Sequence, residues 1–447
     1  MKSTELKPTK ENLISTLKDD LLDRNRDLYC FADLLNNINE SYSIALDSPW
    51  GSGKTFFVKQ MAMLLNIHNP QYQGEFKKYE DDLKTYIAKS IPDNKFFPDT
   101  QRAIYYDAWS NDNETDPILS ILYAIAQSED CNFTPPKNRD WIGIGASIID
   151  LTGKTSFTQL RGSCKSQNFF ENISKNKDLN ILVNDFLNSL IDEHANRLVI
   201  FIDELDRCRP TFAVELLERI KHYFNNDRIT FVFSINKEQL VHTIKRFYGE
   251  QFDACRYLER FFDYPVTLSE VDFSRIFKTN RSKYYRYFYL DVRNRFMNVY
   301  QFSIREAQKY EDIVDRALGI FRDRDFAASY SSTEKGFIFS LYLFVPIIIG
   351  LKLIDNSHYV DFISGNDNYI LHTLFDGTTF KDMYYLKLID SKDPVETPYS
   401  LSKKLYDIIF SGENNDVETL NDFYFEATIR ERLLRTVSSI NITSNYD

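Results

Sequence analysis

The sequence has 447 residues, 43% of them apolar and 27% charged, which is a composition typical of globular proteins. This length predicts about two or three domains and excludes a short disulfide-stapled module, while the composition excludes a disordered or fibrous chain. The formal net charge is −11, so a nucleic acid could bind only at a local basic site. Five scattered cysteines without a C-x-x-C pair argue against a zinc site and predict reduced thiols in a cytosolic protein.

The N-terminal sequence has no apolar segment that could act as a secretory signal, so we expect a cytoplasmic protein. The run 336–351 contains 16 residues without a charge, just below the roughly 17 to 25 residues that a membrane-spanning helix needs. We predict that it forms a buried helix of a large domain, interrupted near Pro346. A membrane anchor is the less favoured alternative.

The predicted elements begin with a helix or a helix pair over residues 11–38, where apolar residues recur at helical spacing. A short β-like run follows at 43–47. It leads through a glycine-containing loop at 48–55 into a helix that carries Phe56. A charged helical insertion is predicted near 75–90.

The chain then continues with a predicted strand at 103–109 and a helix at 117–126. Residues 130–175 lack periodicity and are rich in polar residues and glycine, which predicts an irregular insertion. A helix at 179–191 precedes the strand 197–203, whose continuous apolar run is typical of a parallel sheet covered on both faces.

A helix over 212–224 and a strand over 229–235 complete the alternating pattern. Strands that alternate with helices over 41–250 predict an α/β fold with an open parallel sheet. From about residue 266 the pattern is mainly helical. We therefore predict a first domain at residues 1–265 and a mainly helical C-terminal domain at 266–447.

The loop SPWGSGKT carries the strongest chemical signal. Gly51 and Gly53 let successive backbone N–H groups surround phosphate oxygens, and the helix that follows adds its positive N-terminal end. Lys54 would supply a charge to the β- and γ-phosphates, and the Thr55 hydroxyl would ligate Mg²⁺. The full pattern G-x-x-x-x-G-K-[ST] expects glycine at position 48, where this chain has Ser48. We predict that the nucleotide is bound by Ser48, Pro49, Trp50, Gly51, Ser52, Gly53, Lys54, Thr55 and Phe56.

The strand 197–203 ends in two acidic residues at the edge where ligands of parallel sheets bind. Asp203 would hold the Mg²⁺ shell, and Glu204 would orient and deprotonate the attacking water. An acidic pair at this position could alternatively cap a helix. Asp206 and Arg207 follow in the same turn, either as a local ion pair that caps the next helix or as residues of an active site or a subunit interface.

Three further polar residues are candidates for the catalytic site. Asn236 follows the strand 229–235, where it could reach the γ-phosphate or its attacking water, and it could also cap the next helix. Arg256 and Arg260 are predicted on one helix, and either could stabilise charge on the γ-phosphate across a subunit interface. A solvated helix face is the alternative for both arginines.

Together, these motifs resemble those of the KAP family of P-loop NTPases, a branch of the additional-strand class of ATPases. The resemblance covers residues 15–265 well and the rest weakly. It rests on SPWGSGKT at 48–55, YYDAW at 105–109, VIFIDELDRCRP at 199–210, FVFSINKEQL at 231–240, YLERFF at 257–262 and DLLDRNRDLYCFADLL at 20–35.

The resemblance implies a P-loop parallel sheet and a preference for ATP. Family members often carry a pair of membrane helices between the two nucleotide-binding motifs. Residues 110–196 lack such a pair, so this chain resembles the soluble members. The family usually has glycine and an acidic residue where this chain has Ser48 and Pro49, and often an acidic residue at Asn236. These departures bear on catalytic rate more than on nucleotide binding. Bacterial members occur in anti-phage defence operons, including Qat-type systems, which implies such a role and protein partners from the same operon.

The stretch 275–295 combines seven basic with six aromatic residues against a single acidic one, Asp291. A basic groove with stacking rings could hold a nucleic-acid single strand. The favoured alternative is a helix with an aromatic core face and a basic face that meets solvent or an acidic partner.

We therefore expect a cytoplasmic ATPase, with ATP and Mg²⁺ as cofactors, that couples hydrolysis to a conformational or assembly switch. A homo-oligomer is the expected assembly, and membrane association is not expected. The alternatives are a nucleotide-binding scaffold with little turnover, a membrane-tethered signalling protein and a nucleic-acid-stimulated enzyme.

Overall fold

Contacts within the chain divide it into two compact units, Lys7–Val271 and Asp272–Asp447. The computed structural model describes residues 7–38, 40–90, 101–114, 116–127, 195–224, 226–269, 286–318, 331–366, 369–379, 397–411 and 418–443, with the single positions 184, 187, 188, 191, 273 and 386. The predicted insertion at 130–175 and most of the predicted helix at 179–191 lie outside these residues.

The first unit begins with the predicted helix pair, which is confirmed as α1 (Lys10–Lys18) and α2 (Asn25–Asn36). The Thr9 side chain caps α1 by accepting a hydrogen bond from the backbone N–H of Asn12. The chain continues through β1 (Tyr42–Asp47), α3 (Lys54–His68) and α4 (Glu80–Ser90). The charged insertion is thus helical, as predicted.

Within the described part of this unit, five parallel strands form a sheet in the order β2-β3-β4-β1-β5. Its other strands are β2 (Gln101–Asp107), β3 (Arg197–Asp203), β4 (Ile229–Ile235) and β5 (Tyr264–Thr267). The predicted open parallel α/β sheet is therefore confirmed. Since β4 lies between β1 and β3, the sheet has the additional-strand arrangement that the resemblance implied.

Helices connect these strands: α5 (Pro117–Gln127), α6 (Pro210–Tyr223), α7 (Lys237–Tyr248) and α8 (Ala254–Leu258). Side chains such as Leu216 of α6 and Ile200 and Phe231 of the central strands are buried in one core. Burial on both faces explains why β3 and β4 are apolar without alternation.

Two predicted boundaries in this unit are wrong. The predicted strand at 103–109 ends at Asp107, because Trp109–Asn111 forms a 3₁₀ turn that bends the chain away from the sheet edge. The helix predicted to carry two arginines includes only Arg256. It ends at Leu258, and turns bring Arg260 toward β5.

The second unit is mainly helical, as predicted. It contains α9 (Arg286–Val299), α10 (Ile304–Leu318), α11 (Ser332–Ile354), α12 (Asn356–Ile363), α13 (Tyr369–Phe375), α14 (Pro398–Tyr406) and α15 (Ile429–Thr443). A π-helical turn, Asp407–Ser411, extends α14, and β6 (Glu418–Leu420) pairs with β7 (Phe423–Phe425) in an antiparallel hairpin.

Helix α11 contains the long apolar run, and residues 336–351 are buried along its whole length. The predicted interruption near Pro346 is wrong, because the helix continues through this residue. A proline removes one backbone donor, a loss that dense packing around the helix can outweigh. The buried Tyr310 hydroxyl also donates a hydrogen bond to the Pro346 carbonyl at 2.9 Å.

By length and composition, α11 is the one helix among the described residues that could cross a membrane. Of its most apolar 18-residue window, 83% is buried inside the protein. The prediction that residues 336–351 form a buried helix is therefore confirmed.

Two arginines of the basic stretch 275–295 contribute to the interior of the second unit. Arg293 is fully buried and pairs with Glu311, and the Arg295 Nε donates to the Leu374 carbonyl at 3.0 Å. These side chains therefore do not line the basic groove that was considered as a nucleic-acid site. The other basic side chains of the stretch lie outside the described residues.

Gly336 should be essential for the packing of α11 against β7. A Cβ atom at this position would overlap the backbone carbonyl oxygen of Tyr424. We expect Gly336→Ala to lower the free energy of unfolding by about 1–3 kcal/mol, although alanine favours a helix by about 1 kcal/mol over glycine. Chemical denaturation measures the change.

The matched control is Thr333→Ala at an exposed position of the same helix, where we expect a change within about 0.5 kcal/mol. A Gly336→Ala variant that is more stable than the parent would contradict the close approach of the two elements.

Candidate functional site

The carboxyl ends of three neighbouring strands form the edge on which the candidate residues meet. Asp47 of β1 pairs in register with Ile235 of β4, and Ser234 of β4 pairs with Asp203 of β3. Because adjacent strands lie about 4.8 Å apart, the loop after β1 and the turn after β3 are separated by about 10 Å. This distance suits a ligand that bridges the two.

The loop 48–55 turns back over the sheet edge to begin α3. Gly51 and Gly53 have φ angles of 78° and 94°, in the left-handed region that favours glycine. The backbone N–H of Ser48 donates to the Ile235 carbonyl at 3.1 Å, which continues the pairing of β1 with β4. The loop thereby orients the first turn of α3, where Thr55 lies and where Phe56 is buried.

Lys54 is only 8% exposed. Its ammonium donates to the carbonyl oxygens of Ser48 and Pro49, the latter at 3.0 Å. Burial lowers the pKa of Lys54, and the negative charges of nearby aspartates oppose this effect, with Asp206 contributing most. Among the described residues no carboxylate forms an ion pair with it, so the cation has only neutral partners within its own loop.

Asp203 ends β3 and is 1% exposed. One carboxylate oxygen accepts the Tyr105 hydroxyl at 3.0 Å, and the other accepts the backbone N–H of Glu204 at 3.1 Å. Burial and the charge of Asp203 raise the pKa of Tyr105, which therefore remains a donor. A carboxylate can accept about four hydrogen bonds, so Asp203 retains capacity for a further ligand.

Asp206 connects the turn after β3 (residues 203–207, the acidic turn) to the loop 48–55, which we call the phosphate loop. Its carboxylate accepts a hydrogen bond from the Trp50 indole N–H at 2.5 Å. Burial raises the pKa of Asp206, and both this bond and the charge of Lys54 act in the opposite direction. The predicted alternative of a local ion pair between Asp206 and Arg207 is wrong, since Arg207 pairs with Glu204.

Glu204 has a φ angle of 61°, which is uncommon for a residue other than glycine. Its carboxylate lies 3.1 Å from the Arg207 Nε. Burial raises the pKa of Glu204, the charge of Arg207 lowers it, and the neighbouring Asp203, Asp107 and Asp206 add to the increase. The Glu204 carboxylate is thus partly buried near several other negatively charged carboxylates.

Asn236 lies between β4 and α7 and caps the helix by accepting the Gln239 N–H at 3.2 Å. The predicted capping role is confirmed. Asp47, which the sequence analysis did not select, supports the same helix start by accepting the Lys237 N–H at 2.8 Å. The sensor role of Asn236 stays a prediction.

The structure does not connect Arg256 or Arg260 to this edge. Both are exposed; the backbone N–H of Arg256 donates to Asp253, and the Arg260 carbonyl accepts from Lys221. Among the described residues neither guanidinium contacts the phosphate loop or the acidic turn. Their role across an interface stays a prediction.

Sequence reasoning missed two supporting residues. Tyr105 lies in the YYDAW motif, but only the pairing of β2 with β3 shows that its hydroxyl meets Asp203. Arg24, between α1 and α2, is 5% exposed and donates to the Ser52 carbonyl at 3.3 Å. The residues around Arg24 in the sequence are mostly polar, so nothing in the sequence indicated that this arginine is buried.

The residues present fit a magnesium–nucleotide complex. The described residues contain no cluster of three or more His, Cys, Asp or Glu side chains that could hold a metal alone. Magnesium at a phosphate loop needs few protein ligands, because phosphate and water oxygens complete its shell. Two buried hydroxyl oxygens, those of Ser52 and Ser234, have no hydrogen-bond partner among the described residues, which favours a polar ligand nearby.

Comparisons with known proteins identify a family. Residues 29–303, more than half of the chain, match the KAP family P-loop domain. No curated protein matches the chain.

Similar solved structures include the ORC2 protein of Aeropyrum pernix in ADPNP–ADP complexes, with 13% identity, a TM-score of 0.32 and coverage of 93% of each chain. The ORC1 protein of Aeropyrum pernix in complex with DNA has 12% identity and a TM-score of 0.34, over 95% of this chain and 94% of that one. Scores this low carry no argument about function. The matched family domain contains both the loop around Lys54 and the turn around Asp203, and this chain therefore belongs to the KAP family of P-loop NTPases.

Proposed function

We propose that this chain is a magnesium-dependent ATPase whose site lies between the phosphate loop and the turn after β3. The observation that carries the proposal is the hydrogen bond from Trp50 to Asp206, which joins these two segments directly. The pairing of β4 with β1 and β3 places Lys54, Asp203 and Glu204 at one edge of the sheet, and this bond links the segments that carry them. Nucleotide hydrolysis uses a phosphate-binding cation, ligands for Mg²⁺ and a group that orients the attacking water, and these residue types are present at this edge.

Lys54 binds the β- and γ-phosphates in this proposal. Its present hydrogen bonds, to the Ser48 and Pro49 carbonyls, are bonds to neutral acceptors. Phosphate oxygens are charged and form stronger bonds to an ammonium, so they can replace these carbonyls. The backbone N–H groups at the start of α3 add to the attraction.

Thr55 and Asp203 would hold Mg²⁺, which when bound neutralises charge on the phosphates. The Tyr105 hydroxyl restrains the Asp203 carboxylate, and burial keeps Tyr105 protonated. Asp203 is therefore oriented before any ligand arrives.

Glu204 acts as the general base and takes a proton from the attacking water. Burial among other carboxylates raises the pKa of Glu204, which makes it a better proton acceptor than a fully solvated glutamate. Asn236 directly follows the neighbouring strand β4 and is the candidate that responds to the γ-phosphate.

Coupling to a conformational or assembly switch is the expected use of hydrolysis in this proposal. This expectation is supported by the family resemblance. The same resemblance supports a role in bacterial anti-phage defence and partners from the same operon. These three points stay predictions.

Lys54→Ala should weaken ATP binding by about 10- to 100-fold, because it removes a charged hydrogen-bond donor worth about 1.5–3 kcal/mol. Isothermal titration calorimetry with ATP and Mg²⁺ measures the change. The control is Lys84→Ala in α4, which removes a lysine that pairs with Glu80 instead. Equal affinity in both variants would contradict the assignment of Lys54.

Glu204→Gln should retain ATP binding and lower the rate of hydrolysis by about 10²- to 10⁴-fold, since it removes the general base. Phosphate release at saturating ATP measures the rate. A parent protein that binds ATP but releases no phosphate would favour the nucleotide-binding scaffold. A variant that hydrolyses ATP at the parental rate would show that Glu204 is not the base.

Asp203→Asn should raise the Mg²⁺ concentration needed for half-maximal hydrolysis by about tenfold or more, because it removes one charged ligand. A Mg²⁺ titration at constant ATP tests this expectation. Asp312→Asn, at an ion pair with Arg316 in α10, is the control and should not change the titration. The same curve for the Asp203 variant would exclude Asp203 from the metal shell.

A further inference from the structure

Arg207 lies between two tryptophan rings at the edge of the candidate site. Its guanidinium carbon is 5.7 Å from the centre of the Trp50 ring and 5.5 Å from that of Trp109. Such distances are typical of cation–π contacts. One ring belongs to the phosphate loop and the other to the turn after β2, so Arg207 contacts two segments beside its own.

The same guanidinium pairs with Glu204. The Arg207 Nε lies 3.1 Å from the Glu204 carboxylate, and the Arg207 backbone N–H donates to the Glu204 carbonyl, also at 3.1 Å. Both side chains are about three-quarters buried, with exposed fractions of 26% and 21%. An ion pair in this setting is screened less by water than one on an open surface.

We propose that Arg207 is the positioning residue for Glu204. Held between Trp50 and Trp109, it keeps the carboxylate of the general base at the edge of the nucleotide site. This inference rests on the proposed function and adds to it the residue on which the geometry of the base depends.

The distribution of charge explains why Glu204 needs a partner. Glu204 is partly buried, and the negative charges of Asp203, Asp107 and Asp206 act on it. Lys54 interacts chiefly with other carboxylates of the edge, led by Asp206. Without Arg207 the repulsion from its neighbours would drive the Glu204 side chain toward solvent, away from an attacking water.

The backbone also requires support at this point. Glu204 has a positive φ angle, a conformation that persists in a residue other than glycine only where the surroundings hold it. The ion pair and the backbone bond to Arg207 close the turn over Glu204. The two rings restrict the guanidinium in turn, so the position of the base is linked to the phosphate loop through Trp50.

The test compares ATP hydrolysis by the full chain and its variants. Arg207→Gln should lower kcat by about 10- to 100-fold, since small displacements of a catalytic group have effects of this size. KM and ATP affinity should stay within about twofold of the parent, because Arg207 acts on the base rather than on the bound phosphates. Arg207→Lys keeps the positive charge and should recover part of the loss.

The matched control is Arg209→Gln. Arg209 lies two residues further along the chain and pairs with Asp112, a carboxylate that has no part in the proposed reaction. We expect its kcat to stay within about twofold of the parent.

A double-mutant cycle separates positioning from a general structural role. In the Glu204→Gln background, Arg207→Gln should cause no further loss, because the carboxylate that it positions is already absent. Hydrolysis of radiolabelled ATP measures the low residual rates. An equal loss in both backgrounds would show that Arg207 acts independently of Glu204 and would overturn the inference.

Thermal unfolding and ATP binding report whether Arg207→Gln folds. If it does not, Trp109→Leu, which removes one ring from the guanidinium, replaces it in the same cycle with the same expectation of lower kcat and unchanged KM. A folded Arg207→Gln variant with parental kcat overturns the inference alone. A parent without ATP hydrolysis overturns both the proposed function and this inference.

Discussion

The parallel pairing of β4 with both β1 and β3 is the constraint on which the site depends. It sets the phosphate loop and the acidic turn about two strand spacings apart, at the same edge of the sheet. In the proposed function, the first segment supplies the cation and the second supplies the carboxylates. The hydrogen bond from Trp50 to Asp206 then joins the two segments across this gap. The site is therefore a consequence of strand order.

Charge balance at this edge is the second organising feature. The carboxylates of Asp203, Asp107 and Asp206 add negative charge around Glu204, and Arg207 and Lys54 supply positive charge at the same edge. Each of these four carboxylates has a protein donor: Tyr105 for Asp203, Trp50 for Asp206, Arg207 for Glu204 and the backbone N–H of Ser110 for Asp107. Each donor orients a carboxylate, and Arg207 also offsets the negative charge around Glu204. The acidic turn is thus held in place before a nucleotide is bound.

In the second unit, a single helix supplies much of the interior. Helix α11 packs its apolar side chains against other parts of the protein and continues through Pro346, whose carbonyl accepts the Tyr310 hydroxyl. The buried pair of Arg293 and Glu311 lies in the same unit. A membrane-spanning helix and a buried core helix can have the same apolar sequence. In this structure, most of the apolar run is buried by other parts of the protein.

The sequence by itself determined the alternation of strands and helices, the phosphate loop and the acidic strand end, because hydrophobic period and glycine placement are local properties. It could not assign Tyr105 to Asp203, Arg207 to Glu204 or Trp50 to Asp206, and it placed Arg260 on a helix that ends at Leu258. Those features depend on strand register and on side chains from separate segments meeting in space. Only the tertiary structure decided them, because contacts between residues that are distant in sequence produce no local pattern along the chain.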